Sequence, residues 1–236
     1  RFGIPKRYNS YEDLVSDSNV DAIYVATPHP FHMEHTLLGL NAGKAVLCEK
    51  PMAINADQVR KMTECAKKNN VFLMEAMWTR FLPIYYEVEK WLGEGLIGDA
   101  RILTADFGYR EEIDPKSILF DPNLGGGALL DVGIYPISLA SLIFRDVPSK
   151  IVSMGHLGET GIDEQSSMIL GYDEGQMAIL HAAIRTNTKH EARIFGTKGF
   201  IDLPSFWNTE TATLNLGGQG KRTMTIPHIV NGYCYE

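Results

Sequence analysis

The chain has 236 residues, of which 44% are hydrophobic and 22% are charged, a composition typical of a globular protein with a sizeable core. Its formal net charge is -7 and it has no long Lys or Arg run, so nucleic acids and anionic membrane surfaces are not expected partners. No apolar run approaches the roughly 20 residues that span a bilayer, and residues 1–10 lack the apolar core of a signal peptide. We therefore expect a soluble, cytoplasmic protein.

Neither the cysteines nor the histidines predict a metal site. The three cysteines are far apart and include no Cys-x-x-Cys pair, which favours reduced thiols over a disulfide framework or a zinc site. His29, His32 and His35 follow one another at three-residue spacing. They have no carboxylate or thiolate partners at a recognisable spacing, so we expect no metal.

Residues 1–76 alternate short apolar runs with helical patterns. The runs 22–26, 45–48 and 71–74 predict strands of a parallel sheet that is covered on both faces. The apolar spacing between them predicts helices, one of which begins after Asn55 as its N-cap. Strands that alternate with helices predict a doubly wound, Rossmann-like α/β domain over residues 1–76.

The glycine-rich turn that binds a dinucleotide pyrophosphate is not found in this domain. No G-x-G-x-x-G follows a strand, and the chain opens in the tail of a helix before Ser10 caps the next one. We therefore expect a Rossmann-like sheet that is incomplete at its N-terminus. Strand 22–26 should then lack a partner on one side.

From residue 77 the pattern changes to an α+β type. Pro83 begins a helix, and mostly strands follow it. Turn sequences such as 173–175 and 217–220 predict hairpins, and so an α+β domain over residues 77–236 with a mainly antiparallel sheet. The predicted strands are 101–107, 151–157, 166–172, 176–184, 192–195, 211–216 and 222–226.

One helix, residues 128–144, interrupts these strands. It carries Pro136, which should kink it where the hydrogen bond to Val132 is lost. Strand 176–184 is apolar at both alternating sets of positions, which predicts cover on both of its faces. The helix can cover one face, and a second subunit can cover the other, so we expect a homodimer.

Four sequence segments resemble one family of oxidoreductases. They are Asp21–His32, Ala42–Pro51, Glu75–Phe81 and Gly126–Pro136, which occur in this order along the chain. Together they closely resemble the glucose-fructose oxidoreductase and inositol dehydrogenase family (Gfo/Idh/MocA). The third segment, together with Tyr135 where many members have His, is similar to the branch that acts on trans-dihydrodiols or D-xylose with NADP. Members are usually longer at both ends, so we expect this chain to be a truncated fragment.

The resemblance implies an activity and a set of site residues. The activity is hydride transfer between NADP, or NAD as the alternative, and the CH–OH group of a sugar or vicinal diol. The matching catalytic residues are Lys50, of the Glu-Lys-Pro motif, with Asp131 and Tyr135. The residues implied to bind the cofactor are Thr27, Pro28, His29, His32, Glu49, Lys50, Trp78 and Arg80.

The chemistry of these residue types suits that activity. Oxidation of an alcohol requires a group that takes the hydroxyl proton. An ammonium near Tyr135 favours its phenolate, so Lys50 could lower the pKa of Tyr135 and let it act as the base. Asp131, four residues before Tyr135, could bind a substrate hydroxyl or hold Lys50. Either Lys50 or Tyr135 could be the immediate proton carrier.

Each assignment has a simpler structural alternative. Lys50 could be a solvated lysine at a strand end, and Tyr135 and Trp78 could be core residues. His29 and His32 could cap the helix that follows them. Residues 125–127 are all Gly, which favours close approach of a loop to the cofactor domain over a phosphate site. For the whole chain, the alternatives are a non-catalytic dinucleotide or sugar sensor and an inactive fragment.

Overall fold

A computed structural model describes residues 2–236. The chain divides into two compact units. Unit 1 comprises Arg1–Ala76 and Asn123–Gly125, and unit 2 comprises Met77–Pro122 and Gly126–Glu236.

Unit 1 is built on a parallel sheet of three strands in the order β1-β2-β3, as the sequence predicted. β1 pairs only with β2 among the described residues, so it lies at an edge of this sheet. Side chains of β1, β2, α2 and α3 form the core of the unit. Its elements are α1 Tyr11–Ser16, β1 Ala22–Val25, α2 His32–Asn41, β2 Ala45–Glu49, α3 Ala56–Asn69 and β3 Leu73–Ala76.

Two helices of unit 1 begin at the residues that the sequence predicted. The Asn55 side chain accepts a hydrogen bond from the Gln58 backbone N–H at 3.0 Å, and Ser10 accepts one from Asp13 at 3.1 Å. These bonds satisfy N–H groups that have no partner within the first helical turn. α3 then ends at Asn70, whose φ of 54° is in the left-handed region that ends many helices.

Unit 2 is built on a sheet of eight strands in the order β11-β10-β9-β8-β4-β7-β6-β5. All neighbouring pairs are antiparallel except β4 and β7, which are parallel. The predicted mainly antiparallel sheet is therefore confirmed. The elements are α4 Pro83–Gly93, β4 Ala100–Gly108, α5 Ile134–Phe144, β5 Lys150–Leu157, β6 Asp163–Gly171, β7 Met177–Ala183, β8 Ala192–Gly196, β9 Phe200–Leu203, β10 Thr211–Asn215 and β11 Lys221–Thr225.

The predicted helix 128–144 is not uniform. A π-helical turn over Leu129–Gly133 precedes α5, and Asp163 accepts a hydrogen bond from the Leu129 N–H at 2.7 Å where that turn begins. The π turn includes Val132. Pro136 has no N–H to donate to the Val132 carbonyl, and the sequence predicted a kink for that reason. The disturbance takes the form of a wider turn at the start of the helix.

The stretch Pro122–Phe144 is long and apolar enough to cross a membrane by length and composition alone. More than half of its most apolar window, 56%, is buried inside the protein. Ala128, Val132 and Leu139 belong to the core of unit 2. The stretch therefore has the burial of a core helix.

The two faces of the unit 2 sheet differ in burial. On β7, Ala178, Leu180 and Ala182 are buried and face α5 and the π turn, as predicted. Met177 and Ile179, on the opposite face, are each 41% exposed. None of the described residues covers that face, and its cover by a second subunit stays a prediction.

Candidate active site

The carboxyl end of β2 holds Lys50 by its backbone. The Lys50 N–H donates to Glu49 Oε2 at 3.1 Å, and Tyr24 on β1 donates its hydroxyl to the other oxygen of the same carboxylate. The peptide bond between Lys50 and Pro51 is cis. Lys50 itself is half-buried, and its backbone direction is set by neighbours on two strands.

His32 connects the segment after β1 with the segment after β2. Its ring nitrogens contact the carbonyl oxygens of Pro51 at 2.8 Å and Thr27 at 2.7 Å, and the side chain is completely buried. No side chain caps the first turn of α2, so the interpretation of His32 as a helix cap is wrong. His32 holds two segments of the sheet edge together from within the core.

The other predicted residues after β1 lie around a short turn, His29–Phe31, which Pro28 precedes. His29 contacts the carbonyl oxygen of Gly125 through Nδ1 at 2.9 Å. Gly125 has a φ of +72°, and a Cβ there would meet the His29 Cβ at 2.9 Å. Gly125 therefore allows its loop to lie close to the turn His29–Phe31, within unit 1.

Two strand residues hold the backbone of Met52, which follows Pro51. Met52 donates its N–H to Glu75 Oε1 at 2.8 Å, and its carbonyl accepts from the Cys48 thiol at 3.7 Å. Cys48 and Glu75 face each other in the register of β2 and β3. Burial, with smaller contributions from nearby carboxylates, raises the pKa of Cys48 to about 11, so the thiol stays protonated and can donate.

In unit 2 the structure brings together two of the predicted residues, Trp78 and Tyr135. The Trp78 indole N–H donates to the Tyr135 hydroxyl at 3.2 Å. Trp78 is 2% exposed and Tyr135 is 7% exposed, so both belong to the core. Trp78 is therefore a core residue and also donates a hydrogen bond to the predicted base, Tyr135.

Aromatic rings that the sequence analysis did not select surround this pair. Phe107 lies 5.3 Å from Tyr135 and Trp207 lies 6.5 Å from it, measured between ring centroids. Tyr233 stacks on Trp78 at 4.6 Å. These rings come from sequence positions far apart, and no local spacing groups them before the chain folds.

Asp131 is held by Tyr109, another residue that sequence reasoning missed. The Tyr109 hydroxyl donates to Asp131 Oδ2 at 2.7 Å. Burial, followed by the adjacent Asp131 carboxylate, raises the pKa of Tyr109 well above its usual value, so this hydroxyl remains a donor. Asp131 therefore has one oxygen fixed by a half-buried phenol.

Arg80 points toward α5. One guanidinium nitrogen donates to the Ser138 carbonyl oxygen at 3.4 Å and lies 3.5 Å from the Ser138 hydroxyl. These contacts are long, and Arg80 is half-buried.

The side chains at the carboxyl edge of the unit 1 sheet fit a nicotinamide nucleotide. Thr27, His29 and Lys50 lie in the segments after β1 and β2, and their hydroxyl, imidazole and ammonium groups are of the kinds that hydrogen-bond ribose hydroxyls and a carboxamide. The Thr27 hydroxyl also contacts His35 Nδ1 at 3.0 Å. Dinucleotides bind at this edge of open parallel sheets. Within residues 2–236, no group of three or more His, Cys, Asp and Glu side chains is placed to hold a metal ion.

Comparison with known proteins agrees with this architecture. Residues 1–77 match the family described as "Oxidoreductase family, NAD-binding Rossmann fold", and residues 85–202 match the "GFO/IDH/MocA C-terminal domain". Fold and matches together define an NAD(P)-dependent oxidoreductase. The chain belongs to the Gfo/Idh/MocA family.

Named relatives are similar over most of the chain. The trans-1,2-dihydrobenzene-1,2-diol dehydrogenase of Xenopus laevis is 42% identical over 228 residues, which cover 95% of this chain and 67% of the relative. The aldose-aldose oxidoreductase of Caulobacter crescentus, solved with glycerol, has a TM-score of 0.85 and 26% identity, with 96% of this chain and 69% of that chain covered. A mutant 3-ketoreductase from Actinomadura kijaniata, solved with TDP-benzene and NADP, has a TM-score of 0.84 and 25% identity, with 96% and 71% covered.

Proposed function

We propose that the protein oxidises the CH–OH group of a sugar or vicinal diol and transfers the hydride to NADP, with NAD as the alternative cofactor. The observation that carries the proposal is the Tyr135 hydroxyl, which receives the Trp78 N–H among aromatic rings. Aromatic faces suit the apolar faces of a ring-shaped substrate, and the phenol supplies the polar group that orients one hydroxyl.

Each predicted residue has a chemical role in this proposal. The nicotinamide ring, when bound, accepts the hydride. Lys50 and Tyr135 take the hydroxyl proton, with either as the immediate carrier. Asp131, which Tyr109 holds through Oδ2, binds a substrate hydroxyl. Unit 1 serves as the dinucleotide-binding domain, and unit 2 serves as the substrate-binding and dimerisation domain.

The cofactor residues divide by location. Those of unit 1 are Thr27, Pro28, His29, Glu49 and Lys50, with His32 acting from the core. In unit 2, Trp78 and Arg80 are proposed to line the cofactor and substrate cleft, as the family resemblance implies. The NADP in the A. kijaniata structure supports NADP as the first choice for this chain.

The names of the relatives support the substrate class. A dihydrodiol dehydrogenase and an aldose oxidoreductase both act on carbons that carry neighbouring hydroxyls. The alternative of a non-catalytic sensor is not favoured, because these relatives are named as enzymes. The three cysteines are free, which suits a reducing compartment such as the cytoplasm.

A homodimer is proposed from the open face of the unit 2 sheet. Val152, Ile169 and Ile179 face each other across β5, β6 and β7 in one row of the register, and all three are exposed. An apolar face of this kind is normally covered in solution. A second copy of the same face is the simplest cover.

The test is a set of initial-rate measurements on the full-length enzyme. Reduced nicotinamide is followed by its absorbance with trans-1,2-dihydrobenzene-1,2-diol, D-xylose and a simple mono-alcohol, each with NADP and with NAD. We expect turnover with the diol or the sugar, faster with NADP. Turnover of the mono-alcohol alone, or of none of the three, would contradict the proposal.

A further inference from the structure

The segment that follows Lys50 is fixed by side chains from three elements of unit 1, the helix α2 and the strands β2 and β3. His32 contacts the carbonyl oxygen of Pro51, Glu75 accepts the N–H of Met52, and Cys48 donates to the carbonyl of Met52. The backbone directly after Lys50 is therefore held at the carbonyl of Pro51 and at both the N–H and the carbonyl of Met52.

Glu75 makes the charged contact of this arrangement. Its carboxylate is half-buried on β3, where the register places it beside the fully buried Cys48. A carboxylate is costly to bury, and a backbone N–H that donates to it compensates part of that cost. Burial of a charge at the end of a strand is not needed to build a sheet, because an apolar residue would pack there without that cost.

We infer that Glu75 is a positioning residue for Lys50, acting through the backbone of Met52. This inference rests on the proposed role of Lys50 in proton transfer. A hydrogen bond to the N–H of Met52 fixes the backbone two residues beyond Lys50, while Glu49 fixes the N–H of Lys50 itself. Together these bonds limit the directions in which the ammonium can point.

A matched pair of substitutions separates position from charge. Glu75→Gln keeps the reach of the side chain and an acceptor oxygen but removes the charge. Glu75→Asp keeps the charge but is one methylene too short to reach Met52. Complete removal of the side chain would leave the Met52 N–H without its acceptor and could unfold unit 1, so these two variants are preferred.

If Glu75 positions Lys50, Glu75→Asp should lower kcat by about tenfold to a hundredfold, because small displacements of reacting groups cost that much. The Kd for NADP, from fluorescence titration, should change by less than about threefold. A lower kcat with an unchanged Kd would show that the reacting geometry is impaired and that cofactor binding is not. Glu75→Gln should recover most of the turnover. Glu210→Asp is the control, because Glu210 also accepts a backbone N–H, that of His228 at 2.7 Å, at a site outside the proposed machinery.

Hydrogen exchange gives a readout that does not depend on activity. The Met52 amide should exchange faster in Glu75→Asp than in Glu75→Gln, because only the longer side chain still accepts its hydrogen bond. Circular dichroism checks that both variants are folded. Equal exchange in the two variants would contradict the proposed contact.

The double variant distinguishes failure of this inference from failure of the proposed function. With Lys50→Ala already present, Glu75→Asp should cause no further loss of turnover, since both act through one group. An inactive Lys50→Ala beside a Glu75→Asp enzyme of normal kcat would overturn the inference alone. A Lys50→Ala enzyme of normal kcat would overturn the proposed role of Lys50. A greater loss in Glu75→Gln than in Glu75→Asp would assign the effect to charge and overturn positioning.

Discussion

The Trp78 indole acts on Tyr135 through a single N–H bond to the phenol oxygen. Such a donor stabilises the phenolate more than the neutral phenol, so it favours the form of Tyr135 that can take a proton. The rings of Phe107 and Trp207 lie close to the same phenol. The same bond therefore offers a way to tell whether Tyr135 or Lys50 carries the proton.

Trp78→Phe should move the pH dependence of kcat if Tyr135 is the carrier. Loss of the donor leaves the phenolate of Tyr135 less stabilised, so the limb on which turnover rises with pH should move to higher pH. The control is Trp91→Phe, which removes a buried indole that donates to Glu87 at 2.7 Å. An unmoved limb in the Trp78 variant would assign proton transfer to Lys50.

The sequence predicted the residues of the motifs but not the residues that hold them in place. The motif match located Lys50, Asp131 and Tyr135 because the local sequence around each is distinctive. The supporting contacts of Glu75 and Tyr109 depend on long-range neighbours that no local pattern encodes. Sequence reasoning treated the segment that begins at Glu75 as functional but did not recognise that this carboxylate holds Met52.

Strands differed in how well their patterns located them. The bounds of β1 and β2 followed the apolar runs closely, but the run at 71–74 corresponds to β3 at Leu73–Ala76. The charge of Glu75 ended the apolar pattern early, although the strand continues through it. β9, Phe200–Leu203, was missed because four residues with one buried alternate set are too few for a periodic signal.

Long-range pairing was also beyond the local patterns. The parallel pairing of β4 with β7 places two strands side by side that are far apart in sequence. Turn sequences predict hairpins between neighbouring strands and give no information on such a pair. The π turn before α5 was likewise not predicted, because the sequence indicated only the missing hydrogen-bond donor of Pro136.

α4 is joined to the segment after β9 by a buried tyrosine whose stability contribution should depend on pH. Tyr85 donates its hydroxyl to the Phe206 carbonyl oxygen at 2.6 Å, and burial raises its pKa far above the usual value of about 10. The folded protein thus keeps a proton that the unfolded chain loses above about pH 10. The stability from this group is complete below that pH and falls as pH rises above it, by about 1.4 kcal/mol per pH unit.

Tyr85→Phe should therefore be destabilising at neutral pH and lose that effect in alkali. Removal of the hydrogen bond costs about 1 kcal/mol at pH 8, and the difference from the wild type should vanish or reverse by about pH 11. Urea unfolding at several pH values measures both curves. Tyr86→Phe, at an exposed position on the same helix, shows the effect of losing a hydroxyl that lies in solvent. A difference for Tyr85→Phe that stays constant with pH would contradict this reasoning.

For the whole molecule, the open sheet face predicts the oligomeric state. Ile179→Glu places a charge in the middle of the apolar row and, in a symmetric dimer, near its copy, so the dimer Kd should rise by at least about a hundredfold. Ile229→Glu, at an exposed position outside the strands, is the control. Sedimentation velocity of the full-length protein measures both. A wild-type monomer at micromolar concentration, or an unchanged dimer for Ile179→Glu, would contradict the prediction.

Lys50 and Tyr135 are proposed to handle the proton in nicotinamide-dependent oxidation of a CH–OH group. The most direct test of this proposal is the turnover of Lys50→Ala and Tyr135→Phe in the full-length enzyme, measured with NADP and the best diol or sugar substrate. We expect each to lower kcat by roughly two to four decades, as loss of acid–base catalysis does, with NADP affinity within about tenfold of the wild type. Near-wild-type turnover in both variants would contradict the account.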